Sequence, residues 1–191
     1  MAEPPRRLIA GNWKMNGLTA DAFWRARALT TALAAAPLVC DVLVCPPATL
    51  ISMLAKALAP TAVLLGGQDC HAEDQGTFTG DISAPMLADL GCSAVIVGHS
   101  ERRRDHGEDD ATVRAKAMAA HRAGLIAVVC IGESEAERDA ERTDEVVTAQ
   151  VAGSLPHGAT SANTVVAYEP LWAIGTGRTP MRIQIAHVHT R

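Results

Sequence analysis

The sequence predicts an α/β fold, a (β/α)8 barrel of which this chain carries about six units. Three observations support that expectation. Short apolar runs recur six times, at 8–13, 42–45, 62–66, 94–98, 127–131 and 164–168. The segments between them carry helix punctuation, and strand alternating with helix implies a parallel sheet with helical crossovers. The spacing is the third. Leu8 to Thr164 is five repeats in 164 − 8 = 156 residues. Eight units of about 31 residues need roughly 250, the length of a barrel. A doubly wound sheet also fits six alternating units, but it usually follows its first strand with a Gly-rich phosphate loop. Gly11-Asn12-Trp13-Lys14 is not one.

Each helix is expected from its ends. The first runs over 18–36 with Thr19 as its cap, and the second over 47–59, stopping at Pro60. Ser83 opens a short segment ending at Gly91, and 109–123 ends at Gly124. Ser134 and Glu137 have capping-box spacing ahead of a charged helix reaching about residue 152, whose 135–145 stretch reads as a solvated outer face. Thr179 before Pro180 reads as a cap with proline at the first helical position. The chain 1–191 thus reads as one domain that stops inside its sixth helix.

Composition narrows the function. Apolar residues make up 48% of 191, enough for a sizeable core. The net charge is −4 with no basic stripe, which argues against nucleic acid and acidic membranes as partners. No apolar stretch approaches the roughly 18 residues that span a bilayer, and Met1 to Arg7 lacks a signal peptide's apolar segment. Five cysteines without a Cys-x-x-Cys, four in or beside apolar runs, suggest packed, reduced thiols in a cytoplasmic protein. Cys40 and Cys45 are close in sequence, but free thiols are expected. His187 and His189 lie two apart and share no helix face, so no metal site is expected. His71, His106, His121 and His157 read as exposed or loop residues, and packing explains Trp13 and Trp172 as well as function does.

Chemistry collects where the apolar runs stop, at Asn12 and Lys14, Gln68 and Asp69, His99 and Glu101, Glu133, and Glu169. In a parallel α/β sheet those ends share one face. Glu169 is followed by an apolar segment bracketed by Pro170, Gly175 and Gly177, which reads as a base beneath a lid, its pKa raised by apolar surroundings. A neutral His99 before a short helix starting at Ser100 can donate to a carbonyl, and Lys14 supplies positive charge for an enolate. The N–H of Gly175 can hold a phosphate. Together they describe proton abstraction next to a carbonyl, which needs no cofactor.

These residues fall in blocks that resemble the triosephosphate isomerase family: Gly11-Asn12-Trp13-Lys14-Met15-Asn16-Gly17, Cys45-Pro46-Pro47, Gly67-Gln68-Asp69, Phe78-Thr79-Gly80-Asp81, Gly98-His99-Ser100-Glu101-Arg102-Arg103, Cys130-Ile131-Gly132-Glu133, and Tyr168 through Gly177. They run in family order from residue 9 to about 180. A Glu base paired with a neutral His is that family's own familiar arrangement, so the roles follow the resemblance. It implies a TIM barrel acting in glycolysis and gluconeogenesis, interconverting dihydroxyacetone phosphate and D-glyceraldehyde 3-phosphate. Glu169 would be the base, His99 the electrophile, Lys14 and Asn12 substrate contacts, and the amide of Gly175 a phosphate donor, with Glu101 and Cys130 in support. It also implies a homodimer in which the loop around 70–80 carries Thr79 to the partner's Asn12 region. The family continues through a seventh and eighth strand whose loops supply a Ser and two Gly to the phosphate. Their absence is expected to leave apolar edges at the first and sixth strands and to weaken turnover. Two other readings are a barrel fragment needing a complementary segment, and an isomerase of a related phosphosugar.

Overall fold

A computed structural model describes residues 7–35 and 39–190. The expectations for Met1 to Arg6, the end of the first helix at 36 and the final Arg191 lie outside them. Six parallel strands form one sheet in the order β1-β2-β3-β4-β5-β6. They are β1 (Leu8–Asn12), β2 (Asp41–Cys45), β3 (Leu64–Gly67), β4 (Ala94–Val97), β5 (Ile126–Ile131) and β6 (Thr164–Tyr168). Sequence order equal to spatial order is the winding of a barrel wall, and it rules out the doubly wound alternative, whose order reverses.

The helices are α1 (Thr19–Ala35), α2 (Ala48–Leu58), α3 (Ala84–Asp89), α4 (Ser100–His106), α5 (Asp110–Arg122), α6 (Glu135–Asp139), α7 (Thr143–Ser154) and α8 (Arg182–His189). Several helices start where the sequence places their starts. Ser83 accepts from the N–H of Met86, Asp109 from that of Thr112, and Ser134 with Glu137 closes a capping box.

Three expectations fail. The charged helix is two helices, because Glu141 adopts φ 58 and breaks it between α6 and α7. Its face is not wholly solvated either: Glu137 turns back to cap Ser134, and Arg138 lies 5.0 Å over the Trp172 ring. The sixth helix starts at Arg182 with Met181 as its cap, two residues past Pro180, and Gln184 rather than Thr179 bonds back to the cap N–H. His121 is neither exposed nor in a loop. It is a half-buried residue of α5 whose Nε2 is 3.1 Å from the Asn163 carbonyl and from Thr164 Oγ1, tying the helix to the start of β6.

The sheet has two apolar faces. Val95, Val97, Ala127 and Val129 point outward and pack with Leu50, Ile51 and Leu54 of α2 and with Val113, Ala117 and Ala120 of α5. The alternate residues Leu43, Cys45, Ala94, Ile96, Val128 and Cys130 form the inner layer, as the period of two requires. All five cysteines carry free thiols, and four of them are buried. Among the described residues β1 and β6 each pair on one side only, and Ile9 is 62% exposed. Val166 of β6 is also exposed, so each edge strand presents an apolar residue to solvent.

Candidate active site

The C-terminal ends of β1, β4 and β6 bring Lys14, His99 and Glu169 to one rim. β4 hands over to α4 through Gly98, which adopts φ +67 with Val113 Cγ2 only 2.6 Å from where a Cβ would sit. Only glycine turns there without collision. His99 follows as the N-cap of α4, and its Nδ1 accepts the N–H of Glu101 at 3.2 Å. Its Nε2 lies 2.9 Å from Glu169 Oε1. His99 stands at the start of the short helix as expected, and the group it faces is the Glu169 carboxylate.

Glu169 differs from expectation. Burial pushes its carboxyl upward, but the hydrogen bond from His99 and the one Ser100 N–H gives to Oε2 at 3.0 Å outweigh burial. In this arrangement its pKa lies below the ordinary carboxylate value. Apolar surroundings alone would have raised it; the first turn of α4, invisible as a donor in the sequence, lowers it. Cys130, on the inner face of β5, is raised well above a normal thiol by burial and then by the Glu169 charge, so it stays neutral beneath the carboxylate.

Lys14 leaves β1 at φ 52, an uncommon conformation for a side-chain-bearing residue. Its N–H donates to Asn12 Oδ1 at 2.9 Å, and its carbonyl accepts from Gln68 Nε2 at 2.9 Å, which also donates to the Cys45 carbonyl at 2.8 Å. The ammonium meets Glu101 Oε1 at 2.7 Å. A cleft of about 640 Å³ opens over this rim, lined by Asn12, Lys14, Asn16, Gln68, His99 and Glu101.

Gly175 and Thr79 stand outside that cluster. Gly175 is exposed at φ 73 with nothing within 4 Å of an added Cβ. Its loop is held back: Trp172 Nε1 donates to the buried Glu133 Oε1 at 2.9 Å, and Arg178 Nη1 bonds Glu135 at 2.6 Å. Thr79 lies in a stretch exposed from 73 to 80. His187, expected not to bind metal, bonds Asp144 of α7 at 2.7 Å.

The sequence assigns Arg103 no role. Its guanidinium donates to the carbonyls of Gly98 (2.9 Å) and Cys130 (3.2 Å), to Asp110 (2.6 Å) and to Ser154 (2.9 Å), fastening the ends of β4 and β5 together beneath His99. Its place in the Gly-His-Ser-Glu-Arg-Arg block was the available signal.

Known proteins match this chain over nearly its whole length. The family model described as triosephosphate isomerase matches residues 7–191. A triosephosphate isomerase of Afipia carboxidovorans is 60% identical over 184 residues, covering 96% of this chain and 73% of that protein. One of Bradyrhizobium diazoefficiens is 54% identical over 189 residues, covering 99% and 75%. A crystal structure of triosephosphate isomerase from Bartonella henselae superposes with a TM-score of 0.87 at 46% identity, covering 97% of this chain and 73% of that one.

Proposed function

The chain belongs to the triosephosphate isomerase family, and from that premise we propose that it interconverts dihydroxyacetone phosphate and D-glyceraldehyde 3-phosphate, the triose step of glycolysis and gluconeogenesis. The observation that carries the reading is the His99–Glu169 contact at 2.9 Å, beside the Glu101 N–H that donates to His99 Nδ1. The substrate carbonyl needs the same Nε2–H that Glu169 now occupies, so binding must displace the carboxylate. Once parted from His99 and Ser100 while still buried, Glu169 loses what holds its pKa down, and burial then raises its basicity toward the substrate.

Glu169 takes a proton from the carbon beside the carbonyl, leaving an enediolate. His99 Nε2–H and the Lys14 ammonium stabilise its oxygens, the hydroxyl proton passes from one oxygen to the other, and Glu169 returns the carbon-bound proton to the neighbouring carbon, so that carbonyl and hydroxyl exchange places. Protons and electrons balance within the substrate, with no external oxidant or reductant. In this reading Asn12 and Lys14 hold the substrate, Gly175 N–H binds its phosphate as the 168–177 loop closes, and Glu101 and Cys130 support Lys14 and Glu169.

The protein in this reading is a cytoplasmic homodimer. Loop 73–80, with Phe78 41% exposed, would place Thr79 against the partner beside Met15, itself 96% exposed. A groove of about 630 Å³ next to Met15 is the receiving surface. The 191 residues form one domain holding six of eight barrel units, and alone they should turn over slowly.

A coupled assay for glyceraldehyde 3-phosphate tests the proposal. Glu169→Asp withdraws the carboxylate by one methylene, and misplacement of about 1 Å is expected to cost about 10²-fold. No Glu169-dependent turnover, either in this chain or in this chain joined to the remaining units of the Afipia carboxidovorans relative, would contradict it.

A further inference from the structure

Gln150 lies on α7, and both ends of its side-chain amide are used on one residue. Oε1 accepts the N–H of Gly132 at 2.7 Å, and Nε2 donates to the Gly132 carbonyl at 3.1 Å. Two opposed bonds fix the rotation and the height of that backbone; one alone would leave it free to pivot.

Gly132 is where the exit of β5 meets the backbone of Glu169. A Cβ built on Gly132 would run into the Glu169 carbonyl oxygen, and would lie 2.8 Å from the carbonyl carbon and 2.8 Å from Leu171 Cδ1. A bare Cα is all that fits, so it acts as a stop against the Glu169 backbone. On the other side the Glu169 N–H donates to the Ile131 carbonyl at 2.7 Å. Both polar backbone groups of Glu169 are therefore referenced to residues 131–132.

The geometry points to Gln150 as a positioning residue for Glu169: by clamping Gly132 it sets the height of the Glu169 backbone and hence the reach of the carboxylate. This rests on the reading of Glu169 as the base. Gln150 does not line the cleft over Lys14; it lines, together with Glu169, a separate cavity of about 360 Å³.

The test uses Gln150→Met, which keeps length and removes both hydrogen-bonding ends, with Gln150→Leu as a second variant. The readouts are the carboxyl ¹³C titration of Glu169, assigned by its loss in Glu169→Gln, and the amide shift of Ser100. In either folded variant the Glu169 midpoint is expected to rise by about half a pH unit, since hydrogen bonds to the charged form hold it down. The Ser100 amide should shift toward a weaker hydrogen bond. Where the parent chain turns over, kcat/KM is expected to fall about tenfold with KM nearly unchanged. Gly132→Ala should raise the same midpoint, and adding Gln150→Met to it should do nothing further, because the two act in series. A folded variant with unchanged Glu169 titration and Ser100 shift, or additive effects in the double variant, would overturn the relay. A parent chain without turnover counts against the isomerase reading only, because the titration reads the relay independently.

Discussion

Lys14 offers the clearest separation of stability from function. It sits at φ 52, held by Asn12 Oδ1 below and Gln68 Nε2 above, while its ammonium reaches Glu101. A side-chain-bearing residue in this region costs about 1–2 kcal/mol. Lys14→Gly removes that strain, but glycine's freedom in the unfolded chain takes back about 0.4–1 kcal/mol. Lys14→Ala keeps the strain. Both lose the Lys14–Glu101 pair, whose side chains are 39% and 42% exposed and whose worth is about 0–1 kcal/mol, so it cancels in the comparison. The glycine variant should be more stable than the alanine variant by roughly 0.5–1 kcal/mol, or about 1–4 °C in melting temperature for a chain of this size. Both should lose isomerase activity. Calorimetry of the two variants side by side checks this, and an alanine variant melting at or above the glycine one would refute the claim of strain.

Three further outcomes follow from the geometry. Glu133→Leu removes the acceptor for Tyr168 Oη and Trp172 Nε1, both at 2.9 Å, and for Thr143. At about 1–3 kcal/mol per stranded donor with partial relaxation, a loss of about 2–4 kcal/mol is expected in thermal melts, and Glu133→Gln should restore most of it. In acid, Glu108 and Glu169 have folded pKa values below the ordinary 4.5, so their contribution is present above that value and is lost as pH falls through the folded ones. Asp69, raised by burial, contributes with the opposite sign. Melting temperatures between pH 5 and 3 should therefore fall less steeply for Glu169→Gln than for the parent, and equal slopes would contradict the assignment. Burial pushes Cys45 and Cys70 up to about 12 and Cys92 up to about 11, so native iodoacetamide labelling at pH 8 should modify Cys40 and leave these three intact by mass spectrometry.

Much of this was legible because periodicity and punctuation are local. The six apolar runs became the six strands within a residue or two, and the helix starts at Ser83, Asp109 and Ser134 read directly. Lys14, His99 and Glu169 were visible as polar residues at strand ends, which parallel topology must bring to one rim. What stayed hidden depends on contacts between distant segments. The Ser100 N–H that lowers Glu169, the Arg103 fork across two strand ends and the Gln150 clamp on Gly132 span 69, 27 and 18 residues of sequence. Glu141 concealed the break between α6 and α7, since nothing in a charged run marks one residue for positive φ.

The central claim is that Glu169 moves a substrate proton while His99 holds the carbonyl. Incubating dihydroxyacetone phosphate with the chain in D₂O and following C1 by proton NMR tests it most directly, since exchange registers enediolate formation even when net turnover is slow. A single, stereospecific deuterium at C1 is expected, abolished by Glu169→Gln and strongly slowed by His99→Gln. Exchange that persists in folded Glu169→Gln would contradict it.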